Sequence, residues 1–167
     1  MNLSLAEKYA EKIGESIAPF CCDIQIVGSI RRKRPECGDI DLVVMPLDIE
    51  GLKARCRQTC QVIQEGQVNL SYTLPSGVRL DIYVAHPGAA DLAGVVASNW
   101  GSLVLCRTGS LAHNIKIIEW AKTRNMLWKP YVGVLDVKGM VIASETEEEI
   151  FRAVGMSYID PEKREAL

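Results

Sequence analysis

The chain has no run of about 18 consecutive apolar residues, the length a helix needs to cross a bilayer. Its opening, Met1-Asn2-Leu3-Ser4-Leu5-Ala6-Glu7, has neither a basic start nor a long apolar core. A membrane partner and a secretory leader are therefore not expected. None of the six cysteines (Cys21, Cys22, Cys37, Cys56, Cys60, Cys106) belongs to a C-x-x-C pair, and two histidines complete no zinc-finger spacing. Free thiols in a reducing, cytoplasmic setting follow. Cys56 and Cys60 stand one helical turn apart, where packing is the better reading than a metal. Basic charge is also short: 19 Lys and Arg against 21 Asp and Glu leave a net charge of −2. That total lacks the footprint usual for a nucleic-acid binder. Repeats, low-complexity tracts and long linkers are missing too, so 167 residues suit one compact domain or a core with a small appended lobe.

What is present is unevenly placed. Arg31, Arg32, Lys33 and Arg34 form one basic cluster, Lys53, Arg55 and Arg57 a second, and Lys116, Lys122, Arg124 and Lys129 a third. The last two read equally well as solvated helix faces. The first adjoins the most informative segment, Gly28-Ser29-Ile30-Arg31-Arg32-Lys33-Arg34-Pro35-Glu36-Cys37-Gly38-Asp39-Ile40-Asp41-Leu42. On a strand, Asp39 and Asp41 point to one side and Ile40, Leu42 and Val44 to the other. Paired carboxylates repel unless cations neutralise them, and oxygen donors suit Mg²⁺, with Mn²⁺ as a substitute. Val78-Arg79-Leu80-Asp81-Ile82-Tyr83-Val84 reads as a second strand. If the two strands pair, Asp81 joins the others, and three carboxylates can hold two cations for phosphoryl transfer. At Gly28-Ser29 a strand turns into the basic loop; the glycine lets backbone N–H groups approach an anion, and the Ser29 hydroxyl with Arg31 or Arg32 can bind phosphate oxygens.

The G-S…G-D-x-D pattern with a later aspartate resembles the nucleotidyltransferase superfamily, and more closely the family X (polymerase beta-like) DNA polymerases. Arg107-Thr108-Gly109-Ser110 with His113-Asn114 is similar to the segment opening that family's nucleotide-binding subdomain. Thr146 to Phe151, Tyr158-Ile159 and Pro161-Glu162-Lys163-Arg164-Glu165 are similar to its closing helix and end. The resemblance implies an α+β fold: a palm with a mixed or antiparallel sheet and helices over 1–100, then a small α/β nucleotide-binding, thumb-like lobe over 101–167, hinged near Trp100-Gly101 and closing over the nucleotide. It implies that Asp39, Asp41 and Asp81 bind two Mg²⁺ and that Asp81 serves the primer 3′-hydroxyl. Gly28, Ser29, Arg32 and Gly38 would hold the triphosphate, and Cys106, Arg107, Gly109 and Asn114 the rest of the nucleotide. Arg79, Lys116 and Lys129 would meet DNA.

Three positions depart from the pattern. Cys106-Arg107 replaces two aromatics that help exclude a ribose 2′-hydroxyl, Tyr83 replaces an arginine beside a metal-binding aspartate, and Ile118 replaces an arginine that reaches the templating base. The expected partners are gapped or primer-template DNA and deoxynucleoside triphosphates, met by a monomer that fills short gaps in repair. The chain reads as a minimal two-part form, without the lyase, helix-hairpin-helix or phosphoesterase domains of larger relatives. A nucleotidyltransferase acting on another acceptor, or without a template, shares the three aspartates. A non-catalytic nucleic-acid-binding module would not need them all.

The coarse pattern predicts helices over 4–18, 49–59, 89–98, 110–124 and 145–154, and strands over 24–28, 40–46, 61–65, 68–74 and 78–85. Short strands are expected near 126–128, 132–137 and 140–143, and an extended link over 101–107. Capping boxes Ser4–Glu7 and Ser144–Glu147 would open the first and last helices. Leu74-Pro75-Ser76-Gly77-Val78 reads as a hairpin turn. On the 110–124 helix, Leu111, Ile115, Ile118 and Ala121 or Lys122 mark the expected apolar period, and Ile117 and Trp120 widen the stripe.

Overall fold

The computed structural model describes residues 1–91 and 94–165, which fall into two compact units, Met1–Ala85 and His86–Leu167. No helix among the described residues is long and apolar enough to cross a membrane.

The first unit is a five-stranded mixed sheet backed by helices. Its strands are β1 (Cys21–Ile26), β2 (Asp39–Pro46), β3 (Gln61–Glu65), β4 (Asn69–Thr73) and β5 (Arg79–Val84), in the order β1-β2-β5-β4-β3. β2 and β5 run parallel; every other pair is antiparallel. The alternation of β2 and β5 sends Ile40, Leu42, Val44, Leu80 and Ile82 into one core with α1 (Leu3–Ile17) and α3 (Ile49–Arg57). A single helical turn, α2 (Gly28–Arg31), follows β1. The predicted hairpin turn closes by Leu74 N donating to Val78 O at 2.8 Å, with Gly77 at φ +82°.

The first helix is capped by Asn2, whose Oδ1 accepts from Leu5 N at 3.0 Å, rather than by a Ser4–Glu7 box. Ala6, Ala10 and Ile17 are its buried residues, while Leu5 is exposed. The predicted strand 24–28 is shifted to Cys21–Ile26, because Gly28 already has helical partners beyond it: Arg32 N donates to Gly28 O.

The second unit opens with a small antiparallel ladder, β6 (Ala89–Asp91) and β7 (Gly94–Val96), where a helix over 89–98 was expected; residues 92 and 93 of that prediction lie outside the described residues. α4 (Trp100–Thr108) replaces the expected extended link. Gly101 through Leu105 are all buried, so this apolar run has no amphipathic period to reveal a helix. Its first N–H groups are satisfied from outside, Gly101 N by Glu145 O at 3.1 Å and Ser102 N by Ser144 O at 2.9 Å. That approach requires glycine, since a Cβ on Gly101 would stand 2.3 Å from the Thr146 backbone.

α5 (Leu111–Thr123), β8 (Leu127–Lys129), β9 (Gly133–Leu135), β10 (Val141–Ala143) and α6 (Glu147–Ala153) complete the unit around Leu105, Ile117, Trp128, Val134, Ile150 and Phe151. The buried stripe of α5 is His113, Ile117 and Ala121; Leu111 and Ile115 of the expected stripe are exposed. α6 is capped by Thr146, with Glu149 N donating to Thr146 Oγ1 at 3.2 Å, two residues later than the Ser144–Glu147 box. Residues near 86–99 belong to this unit because Asn99 accepts from His86 N and donates to Tyr131 O, both at 2.9 Å. The two units thus part at Ala85, ahead of the boundary expected near Trp100-Gly101.

Candidate active site

β2 and β5 position the first-unit site. Their parallel register sets Asp41 beside Asp81 and Asp39 beside Arg79. Because residues of like parity share a face, Asp39, Asp41 and Asp81 stand opposite the helix-backed core. One carboxylate oxygen from each lies within 4.8 Å of the other two. Asp81 is buried, and Asp39 and Asp41 are half-buried.

Three carboxylates so close repel one another strongly. Arg79 answers part of this charge: its Nε lies 2.8 Å from Asp81 Oδ2. Asp81 also holds the Arg79 guanidinium above its usual pKa. Ser71 Oγ donates to Asp81 Oδ1, and Tyr83 OH donates to Asp41 Oδ1 at 3.3 Å. An all-oxygen donor set of this kind fits a hard divalent cation such as Mg²⁺. The triad could hold a metal ion.

Gly28 lies against this cluster. It has φ +63°, and a Cβ there would sit 2.1 Å from Asp41 Oδ2. Val27 N donates to Asp41 O at 2.9 Å, tying the end of β1 to the same residue. Ser29 Oγ is buried with no hydrogen-bond partner among the described residues, a costly state that an acceptor or donor from a ligand would relieve. Arg32 is half-buried on the same turn, and Gly38 is exposed with open space where a Cβ would be.

The remaining sequence-predicted residues lie in the second unit. Asn114 Nδ2 donates to Cys106 O at 2.8 Å, so those two are brought together. Burial raises the Cys106 thiol pKa, keeping it protonated. Arg107 stacks over Tyr131, its carbon 5.3 Å from the ring centre, and donates to the Tyr131 hydroxyl. Gly109 ends α4 at φ +73°. Lys116 is half-buried on α5, and Lys129 is exposed on β8. His113 is fully buried, and desolvation, followed by the charge of Arg164, pushes its pKa down to about 4, so it is neutral at pH 7.

Three residues were missed from sequence. Ser71 could have been found by counting back from the Leu74–Val78 closure, which puts it across from Asp81. Glu147 and Arg164 form a buried ion pair at 2.8 Å that nothing in the local pattern announced.

Known proteins resemble the chain through its structure and its second unit. The DNA polymerase beta thumb family matches residues 103–165. No curated protein sequence gives a significant match. Among solved structures, a ternary P/T complex of Leishmania infantum polymerase beta superposes with a TM-score of 0.79 at 17% identity, covering 98% of this chain and 76% of that one. A ternary gap complex of Leishmania infantum polymerase beta gives a TM-score of 0.80 at 16% identity, with coverage of 98% and 70%. An α+β chain whose mixed sheet and helices superpose so fully, and whose last 63 matched residues (103–165) fit the thumb, has the polymerase beta-like fold of the family X DNA polymerases.

Proposed function

We propose that this chain is a DNA-directed DNA polymerase, transferring a nucleotidyl group from a deoxynucleoside triphosphate to a primer 3′-hydroxyl at short gaps. The observation that carries the reading is the convergence of Asp39, Asp41 and Asp81 within 4.8 Å on one sheet face. Asp39 and Asp41 would hold two divalent cations, and Asp81 would complete the set for one of them. When bound, such ions supply charge stabilisation to phosphate oxygens and acidify a coordinated hydroxyl.

The chain's own residues then divide the work. Arg79 and Ser71 fix both oxygens of Asp81, so its carboxylate is preorganised before substrate arrives. Tyr83, donating to Asp41, would orient its carboxylate. Gly28 gives the backbone close access to the cluster, and the unpartnered Ser29 hydroxyl and Arg32 would bind triphosphate oxygens. The gap complex of the Leishmania infantum protein supports gapped DNA as the acceptor.

The test is single-nucleotide extension of a labelled primer on one-nucleotide-gapped DNA, each dNTP and rNTP supplied separately with Mg²⁺. Addition governed by the templating base, reduced more than about a hundredfold in Asp81→Ala, is expected. Untemplated addition would reassign the chain to terminal transfer. No addition by folded, metal-binding protein would reassign it to another acceptor.

A further inference from the structure

A cavity of about 620 Å³ opens on the other face of the first unit's sheet, between α1, the end of α3 and the 74–78 turn. Its size is that of small-molecule sites, which are typically ~300–1,000 Å³ and mostly apolar with a few polar groups. Ile17, Leu74 and Leu80 supply buried apolar walls. Leu80 precedes Asp81 on β5 and points the opposite way, so the cavity is separate from the carboxylate cluster. Cys56 adds to the lining as a neutral thiol, its pKa pushed up to about 12 by burial.

The polar groups at this cavity carry a charge imbalance. Arg55 is held in place by neutral partners: Nε donates to Ser16 Oγ at 2.8 Å and Nη1 to Gln58 Oε1 at 2.9 Å. No carboxylate pairs with it or with Lys12 among the described residues, although Glu15 also lines the cavity. A guanidinium fixed by two neutral hydrogen bonds is a preorganised cation with donors to spare, suited to a carboxylate or phosphate. Buried apolar walls together with two cations in the lining suit an occupant of matching polarity.

We propose that this cavity binds a small amphipathic anion, its apolar body against Ile13, Leu74 and Leu80 and its carboxylate or phosphate head on Arg55 and Lys12. The site lies away from the three aspartates and stands whether or not the chain is a polymerase.

The experiment titrates the full chain calorimetrically with para-butylbenzoate, para-butylphenyl phosphate and the neutral para-butylbenzamide, and maps each by methyl NMR. One-to-one binding of an anion is expected, with shifts at Ile13, Leu74 and Leu80. The benzamide should bind at least about tenfold more weakly, the worth of one charge-assisted hydrogen bond. Arg55→Gln should weaken the anion by a similar factor while leaving the benzamide unchanged, and Ile13→Trp should abolish both. Preference between the two anions identifies the head group. Equal affinity for the benzamide, shifts confined elsewhere, or no binding by folded protein overturns the proposal. Should Arg55→Gln fail to fold, Lys12→Gln and the wild-type anion-to-amide ratio decide the matter.

Discussion

A methyl group on Gly28 would meet two obstacles at once, a backbone at φ +63° and the Asp41 carboxylate 2.1 Å away. The first strains any L side chain by about 1–3 kcal/mol, and the second displaces a proposed metal ligand. Gly28→Ala should therefore lose roughly 1–3 kcal/mol in urea unfolding, and at least about tenfold in Mn²⁺ affinity measured by calorimetry. An unchanged Mn²⁺ affinity in the folded variant would remove Gly28 from the site. His113 makes a different residue-level statement. Burial lowers its pKa from 6.5 to about 4, so the unfolded chain takes up its proton first as the pH falls. Stability is complete above the unfolded pKa and declines between about pH 6.5 and 4. Between pH 7.5 and 5 the loss should be about 2 kcal/mol, and His113→Leu should flatten that part of the profile. A wild-type profile equally steep in the leucine variant would assign the slope to other groups.

At the scale of elements, α6 and the turn at Pro161–Lys163 are joined by a pair that neither element needs for its own formation. Arg164 is fully buried, donates to Glu147 Oε1 and Ile159 O, and stacks near Phe151 and Tyr158. Arg164→Met removes the buried cation that faces the Glu147 carboxylate, so it should cost about 3–5 kcal/mol by calorimetric unfolding. The double variant Glu147→Leu/Arg164→Met should recover most of that, because the penalty lies in a buried carboxylate without its counter-cation; a double variant as unstable as the single would point to packing instead. Long-range pairs of this kind are not legible in a local pattern. The 74–78 hairpin was, since its turn residues and flanking alternation agree, and with it came β5 and the side of the sheet on which Asp81 lies. The run Gly101–Leu105 hid its helix because burial on all sides removes the period. α5 buries His113 beside Ile117 and Ala121, with its ring against Phe151, a placement hydropathy alone does not predict. The three aspartates were legible because their chemistry is costly without a function; Ser71 needed the register, and Gly28's contact with Asp41 needed coordinates.

Across the whole molecule, the chain's composition separates its two units spectroscopically. Trp100, Trp120 and Trp128 all lie in His86–Leu167, whereas the three aspartates lie in Met1–Ala85. Each unit has its own buried apolar cluster, so each has the means to unfold with its own transition. A cation bound to native but not to unfolded protein stabilises only through the unit that holds it. At ten times its dissociation constant, Mg²⁺ or Mn²⁺ contributes about 1.4 kcal/mol, worth roughly 5–10 °C for a unit of this size. The far-ultraviolet dichroism melt, which reports both units, should therefore shift upward with metal. The tryptophan melt, blind to the first unit, should hold its midpoint. Asp81→Ala should abolish the dichroism shift and leave the tryptophan melt as it was. A tryptophan midpoint that rises with metal in step with the dichroism would show that the units unfold together, and a shift that survives Asp81→Ala would place the cation elsewhere. Absence of any shift at millimolar metal would withdraw the metal from the proposed chemistry.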